Sequence, residues 1–85
     1  MKHAGPQALD RLEPLIARIR ALPGLTEKAR GTFYRKSRAF LHFHEDSEGL
    51  FADIRVEGDD FERLDVTGPD GTERLVALAK ACLEP

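Results

Sequence analysis

Residues 39–56 read AFLHFHEDSEGLFADIRV, and this stretch decides the fold class. Its two halves, 39–44 and 50–56, each alternate apolar and other side chains with the two-residue period of a β-strand, which predicts an antiparallel hairpin. The inner face of this hairpin is apolar and is formed by Ala39, Leu41, Phe43, Leu50, Ala52, Ile54 and Val56. The outer face mixes aromatic with ionisable side chains and is formed by Phe40, His42, His44, Phe51, Asp53 and Arg55.

The register of this hairpin follows from the requirement that both apolar sets share one face, because a slip by one residue would move one set to the opposite side. Among the pairings that meet this requirement, one leaves residues 46–49 as a four-residue loop, with Gly49 free to adopt a left-handed conformation at its end. It predicts three cross-strand pairs on the outer face: His42–Asp53, His44–Phe51 and Phe40–Arg55.

The remaining elements complete an α+β two-layer sandwich. Apolar residues at three- and four-residue spacing predict helices over about 7–22 and 72–83. Pro14 should bend or restart the first helix, and Pro23-Gly24 should end it. Between the helices we predict a helical turn at 26–30, a short strand at 32–35 and a strand at 61–66, hence a three- to four-stranded antiparallel sheet.

Composition is that of a single small domain spanning residues 1–85, with 41% hydrophobic and 33% charged residues. No apolar run approaches the roughly 18 residues of a membrane span, and no signal-peptide pattern is present at the start. The single cysteine, Cys82, excludes an internal disulfide and lies on the apolar stripe of the second helix. We therefore expect a cytoplasmic protein in which Cys82 is a buried structural thiol.

Charge is distributed unevenly, although the net charge is only −2. Residues 1–44 carry +6 and residues 45–85 carry −8. The basic segment consists of Lys28, Arg30, Arg35, Lys36 and Arg38. One interpretation is a patch for DNA or RNA, and the other is a set of solvated loop residues.

Self-association through the outer face is the leading functional hypothesis. If Lys36-Ser37 is a two-residue turn, Phe33 falls opposite Phe40, and several rings then lie exposed together. A homodimer would hide them, with anchors at Phe33, Phe40 and Phe51 and a polar surround of His42, Asp53 and Arg55. The sequence thus predicts a non-enzymatic binding module without a cofactor.

The pair His42 and His44 supports a second kind of site. Two imidazoles on one side of a strand, about 7 Å apart, have a spacing that some metal centres use, and Asp53 or Glu45 would supply a third ligand. The alternative is a surface pair of His42 with Asp53 and a stack of His44 on Phe51. An acid–base pair of His42 and Asp53 is also conceivable, but no nucleophile or phosphate-loop motif accompanies it.

Residues 20–56 resemble the MmcQ/YjbR-like family of small α+β proteins. The resemblance rests on Leu22-Pro23-Gly24-Leu25, Gly31-Thr32-Phe33-Tyr34-Arg35, Arg38-Ala39-Phe40-Leu41 and Leu50-Phe51-Ala52-Asp53-Ile54-Arg55. The related YdhG-like and frataxin-like folds share the same helix–sheet–helix layout. Membership would imply a two-layer domain that binds through its open sheet face or its basic edge, with DNA as one proposed ligand and no catalytic residues to transfer.

Overall fold

The computed structural model describes residues 1–84 as one antiparallel sheet and two helices. The elements in chain order are β1 (Lys2–His3), α1 (Pro6–Arg20), β2 (Thr26–Ala29), β3 (Thr32–Arg35), β4 (Arg38–Asp46), β5 (Gly49–Glu57), β6 (Asp60–Asp65) and α2 (Pro69–Leu83). Strands β2 to β6 follow one another in the sheet, and β1 pairs with β4. The α+β class is confirmed, but the described residues form six strands, more than the three or four predicted.

The central hairpin of β4 and β5 has the predicted register, with His42 opposite Asp53 and His44 opposite Phe51. Its turn is tighter than predicted, because Asp46 pairs with Gly49 and leaves only residues 47 and 48 between the strands. The register was predictable because apolar alternation excludes slips by one residue, and a short loop between the strands selects among the registers that remain.

A β-bulge in β4 overturns the predicted placement of two phenylalanines. Tyr34 pairs with Ala39 but Phe33 pairs with Leu41, so Phe40 is an extra residue that has no partner in β3. Phe33 is only 1% exposed and Phe40 only 3%, and both belong to the hydrophobic core. The prediction that these rings face each other on the outer face is therefore wrong, because the bulge turns Phe40 inward.

The turn between β3 and β4 is the predicted two-residue turn. Arg35 pairs with Arg38, and the two residues between them both have positive φ, 51° at Lys36 and 71° at Ser37. This backbone matches the right-handed twist of a hairpin, although Asn-Gly would adopt it at lower cost.

Both helices pack on the inner face of the sheet and contact each other. The largest fully buried side chains are Phe33, Ile16, Ile19, Leu41, Ile54 and Leu75. Helix α1 runs through Pro14 without interruption and approaches the sheet closely at Gly31, where a Cβ would lie 3.1 Å from Leu9 Cδ2. In the described residues neither helix is long and apolar enough to cross a membrane.

Two further local predictions need correction. Residues 26–29 are strand β2 rather than a helical turn, because pairing with β3 satisfies their backbone groups and Glu27 accepts the Gly31 N–H at 2.9 Å. Val56, assigned to the inner face, is 37% exposed. A second bulge between Arg55 and Glu57 displaces it from the alternation.

Helix α2 begins at Pro69, three residues before the predicted start. Its first turn lies against the end of β6, where a Cβ added at Gly71 would come within 1.8 Å of the Asp65 carbonyl oxygen. At Gly68, by contrast, nothing lies within 4 Å of such a Cβ. Only glycine therefore fits at position 71 without displacing the helix.

Candidate metal centre

All three histidines of the chain meet on the outer face of the sheet. His42 and His44 are two residues apart on β4, so their side chains point to the same side. His3 lies directly opposite His44 because β1 pairs with β4 there. The ligand nitrogens of the three rings all lie within 4.8 Å of one another.

The N-terminal segment that delivers His3 is held by main-chain and side-chain hydrogen bonds. The Ala4 N–H donates to the Phe43 carbonyl oxygen at 3.1 Å, and the Gly5 N–H donates to a Glu45 carboxylate oxygen at 2.6 Å. Sequence reasoning missed His3 because a two-residue strand is too short to show periodicity. Glu45, considered above as a metal ligand, here anchors this segment.

The rings of the cluster are in close contact. His42 Nδ1 and His44 Nε2 are 2.9 Å apart. His3 stacks on His44 with ring centroids 4.8 Å apart, and the centroid of His42 lies 5.8 Å from that of His3. His44 Nδ1 is buried and has no hydrogen-bond partner in the part of the chain that the structure describes.

Asp53 lies beside the cluster and is 7% exposed. Its two oxygens accept hydrogen bonds from Arg63 Nε at 2.7 Å and Nη2 at 2.8 Å, and its Oδ2 lies 3.2 Å from His44 Nε2. The strand register that opposes Asp53 to His42 is as predicted, but the closest side-chain partners of the carboxylate are Arg63 and His44. Arg63 was not predicted as a site residue because the sequence does not show how β6 pairs with β5.

The two other predicted side-chain contacts are replaced by different ones. Arg55 places its guanidinium over the ring of Phe61, 4.5 Å from the centroid, because Phe40 has turned into the core. His44 stacks on His3 instead of Phe51. Phe61, which the predictions left out, also packs against His42 with centroids 5.2 Å apart.

Electrostatics favour the metal-binding forms of His42 and Asp53. Burial lowers the pKa of His42, and the neighbouring His44 lowers it further, so its ring stays neutral at neutral pH. The hydrogen bonds from Arg63 lower the pKa of Asp53, which is therefore ionised. Neutral imidazoles and an ionised carboxylate are the ligand forms that bind metal ions.

The predicted dimer anchors are not brought together. Phe33 and Phe40 are in the core, and of the three only Phe51, which is half-buried, remains on the outer face. The outer face is thus mainly imidazole, carboxylate and guanidinium rather than aromatic. Self-association stays a prediction, but two of the three rings proposed as its anchors lie in the core and cannot form the interface.

The basic segment does not form one free positive surface. Arg30 is paired with Asp10 and Glu13 on α1, and Lys28 lies over the Tyr34 ring, 4.2 Å from its centroid. Its other cations, Arg35, Lys36 and Arg38, lie at or next to the β3–β4 turn. Nucleic-acid binding stays a prediction, and the pairing of Arg30 counts against a continuous contact strip.

Cys82 is partly buried on α2, and burial raises the pKa of its thiol. A thiol in this state is mostly protonated and weakly nucleophilic at neutral pH. This agrees with a structural role, although the side chain is less deeply buried than predicted.

Comparison of the chain with protein-family models, with curated proteins and with solved structures finds no match.

Proposed function

We propose that this protein binds a divalent transition-metal ion of the Zn²⁺ type through His3, His42 and His44. The observation that carries the proposal is the convergence of all three histidines on one face, with ligand nitrogens within 4.8 Å of one another. Two of these residues come from one strand and the third from a segment about forty positions away in the sequence.

The spacing of the donor atoms fits such an ion. Zn–N bonds of about 2.0–2.1 Å in a tetrahedral site set neighbouring ligand atoms about 3.4 Å apart. The His42 and His44 nitrogens are 2.9 Å apart, and Asp53 Oδ2 is 3.2 Å from His44 Nε2. The ligand nitrogens of the whole cluster are up to 4.8 Å apart, so binding must also draw the rings closer together.

Asp53 supports the proposal in two ways. It places a carboxylate beside the rings, and its Oδ2 is spaced to act as a fourth ligand while Arg63 remains its ion-pair partner. Arg63 holds both oxygens and so fixes the orientation of the carboxylate, as outer-shell partners do in metal sites.

The exposed position of His3 gives the ion an approach route. His3 is exposed, whereas His42 and His44 are half-buried. The cluster thus has one accessible imidazole and two that the sheet preorganises.

Titration with Zn²⁺, followed by calorimetry and by the NMR signals of the imidazole nitrogens, tests the proposal. We expect one equivalent to bind and all three imidazoles to shift together. Binding should weaken as the pH falls, because protons compete for the same nitrogens. An imidazole signal that stays unperturbed at saturation would contradict a three-histidine site.

Variants sharpen this test. His3→Ala should lower the affinity by more than about tenfold, the lower limit of what loss of an outer-shell partner costs. Lys2→Ala is the matched control, since Lys2 lies in the same strand, is exposed and offers no ligand in the cluster. Equal affinities of these two variants would exclude His3 as a ligand.

A further inference from the structure

A second candidate site lies at the end of the sheet formed by the β3–β4 and β5–β6 turns. A cavity of about 320 Å³ opens there and is lined by four cationic side chains, those of Arg35, Lys36, Arg38 and Arg55. One carboxylate, that of Glu57, also lines it. None of these residues belongs to the histidine cluster.

The cavity is shaped by the two bulges described above. Phe40, the extra residue of β4, and Val56, the extra residue of β5, both contribute to its wall. Bulges are over-represented next to binding sites because they redirect side chains away from regular alternation. Here they bring an arginine-rich surface next to exposed apolar surface at Val56.

Two of the arginines are oriented by backbone carbonyl oxygens, which carry no formal negative charge. Arg35 Nη1 donates to the Cys82 carbonyl oxygen at 2.8 Å. Arg55 donates from Nε to the Ala39 carbonyl at 2.8 Å and from Nη1 to the Gly58 carbonyl at 3.2 Å. Because a guanidinium has five N–H donors, each arginine keeps donors for a ligand.

The counter-ion at this end of the sheet is exposed. Asp59 accepts a hydrogen bond from Arg38 and lies 3.5 Å from Arg55 Nη1, yet its side chain is 91% exposed. Exposed ion pairs of this kind contribute little free energy. A ligand with a stronger anionic group can therefore replace Asp59 at low cost.

We propose that this cavity binds the phosphate group of a small phosphorylated molecule. Guanidinium groups match phosphate oxygens with paired hydrogen bonds, and the cavity volume is at the lower end of the range for small-molecule sites. A small ligand fits better than an extended nucleic-acid strand because the rest of the basic segment is engaged elsewhere: Arg30 is paired with Asp10 and Glu13, and Lys28 lies over the Tyr34 ring.

Phenyl phosphate is a suitable probe, since its ring would contact the apolar surface at Val56. We expect titration into metal-free protein, followed by backbone amide NMR, to give saturable shifts confined to residues 35–40 and 55–59. Sodium chloride at matched ionic strength should not reproduce them. Shifts that fail to saturate, or that spread over all cationic residues, would overturn the proposal.

Charge variants provide the decisive comparison. Asp59→Asn should raise the affinity about two- to fivefold by removing the internal competitor, whereas Lys36→Gln combined with Arg38→Gln should lower it. Glu48→Gln, which makes the same change of net charge in the β4–β5 turn, should leave it unchanged. Equal effects of the Asp59 and Glu48 substitutions would show general screening and refute a local site. Tighter binding of a single-stranded oligonucleotide to the same residues would also refute the small-ligand proposal.

Discussion

Replacing Phe40 by alanine tests whether this ring points into the core at the bulge in β4. Phe40 is 3% exposed and packed in the core, so its truncation removes a buried ring and leaves a cavity. Such substitutions cost about 3–5 kcal/mol. A domain of this size has a total free energy of unfolding of about 4–13 kcal/mol, so the variant should lose a large part of its stability.

The same loss can be expressed as a change in melting temperature. An unfolding entropy of about 2.1 cal/mol/K per residue corresponds to about 0.18 kcal/mol/K for this chain. The expected decrease in Tm is therefore about 17–28 °C. Urea unfolding monitored by circular dichroism would measure the free energy, and a temperature scan would measure Tm.

Phe61→Ala is the matched control because Phe61 is an outer-face ring that is 36% exposed. Its truncation should cost about 1–2 kcal/mol, less than a fully buried ring. If Phe40 faced solvent, Phe40→Ala would cost no more than Phe61→Ala, and Phe40→Glu would remain folded. Either result would refute the inward turn of Phe40.

Three further predictions test local features of the fold. Gly71→Ala should destabilise by at least about 2 kcal/mol, because its Cβ would collide with a backbone carbonyl, whereas Gly68→Ala has open space and should be nearly neutral in urea unfolding. Ser37→Gly should raise Tm, because it relieves a positive φ that costs a non-glycine residue about 1 kcal/mol; an unchanged or lower Tm would contradict the turn geometry. The hydrogen bond from Arg20 lowers the pKa of Glu27, so this pair contributes stability above the unfolded pKa of about 4.5 and loses it as the pH falls through the lower folded value. Glu27→Gln should therefore reduce the loss of stability between neutral and acidic pH, and identical pH dependence in both proteins would exclude this contribution.

The predicted dimer is tested by the oligomeric state of the native protein. Sedimentation of the native protein at about 100 μM would report its oligomeric state, because an ordinary stable dimer is associated at that concentration. With Phe33 and Phe40 in the core, a dimer would have to use Phe51 and the polar residues around it.

Part of the candidate site could be predicted from the sequence. His42, His44 and Asp53 were recognisable because strand periodicity places them on one face and the hairpin register opposes them. His3 and Arg63 were not, because each reaches the cluster through a strand pairing that is set by non-local contacts. The two-residue strand β1 and the polar face of β6 show too little alternation to fix their partners.

Local patterns were enough to predict the two helices, the central hairpin and its register, because apolar periodicity and a short loop together limit how the apolar faces can coincide. Which rings lie in the core depends on contacts between distant segments. At Phe40 the gain from burying a large ring favours a bulge over the regular alternation that local pattern predicts. Strand pairing likewise makes residues 26–29 a strand instead of the predicted helical turn. It also brings the third histidine, His3, to the outer face.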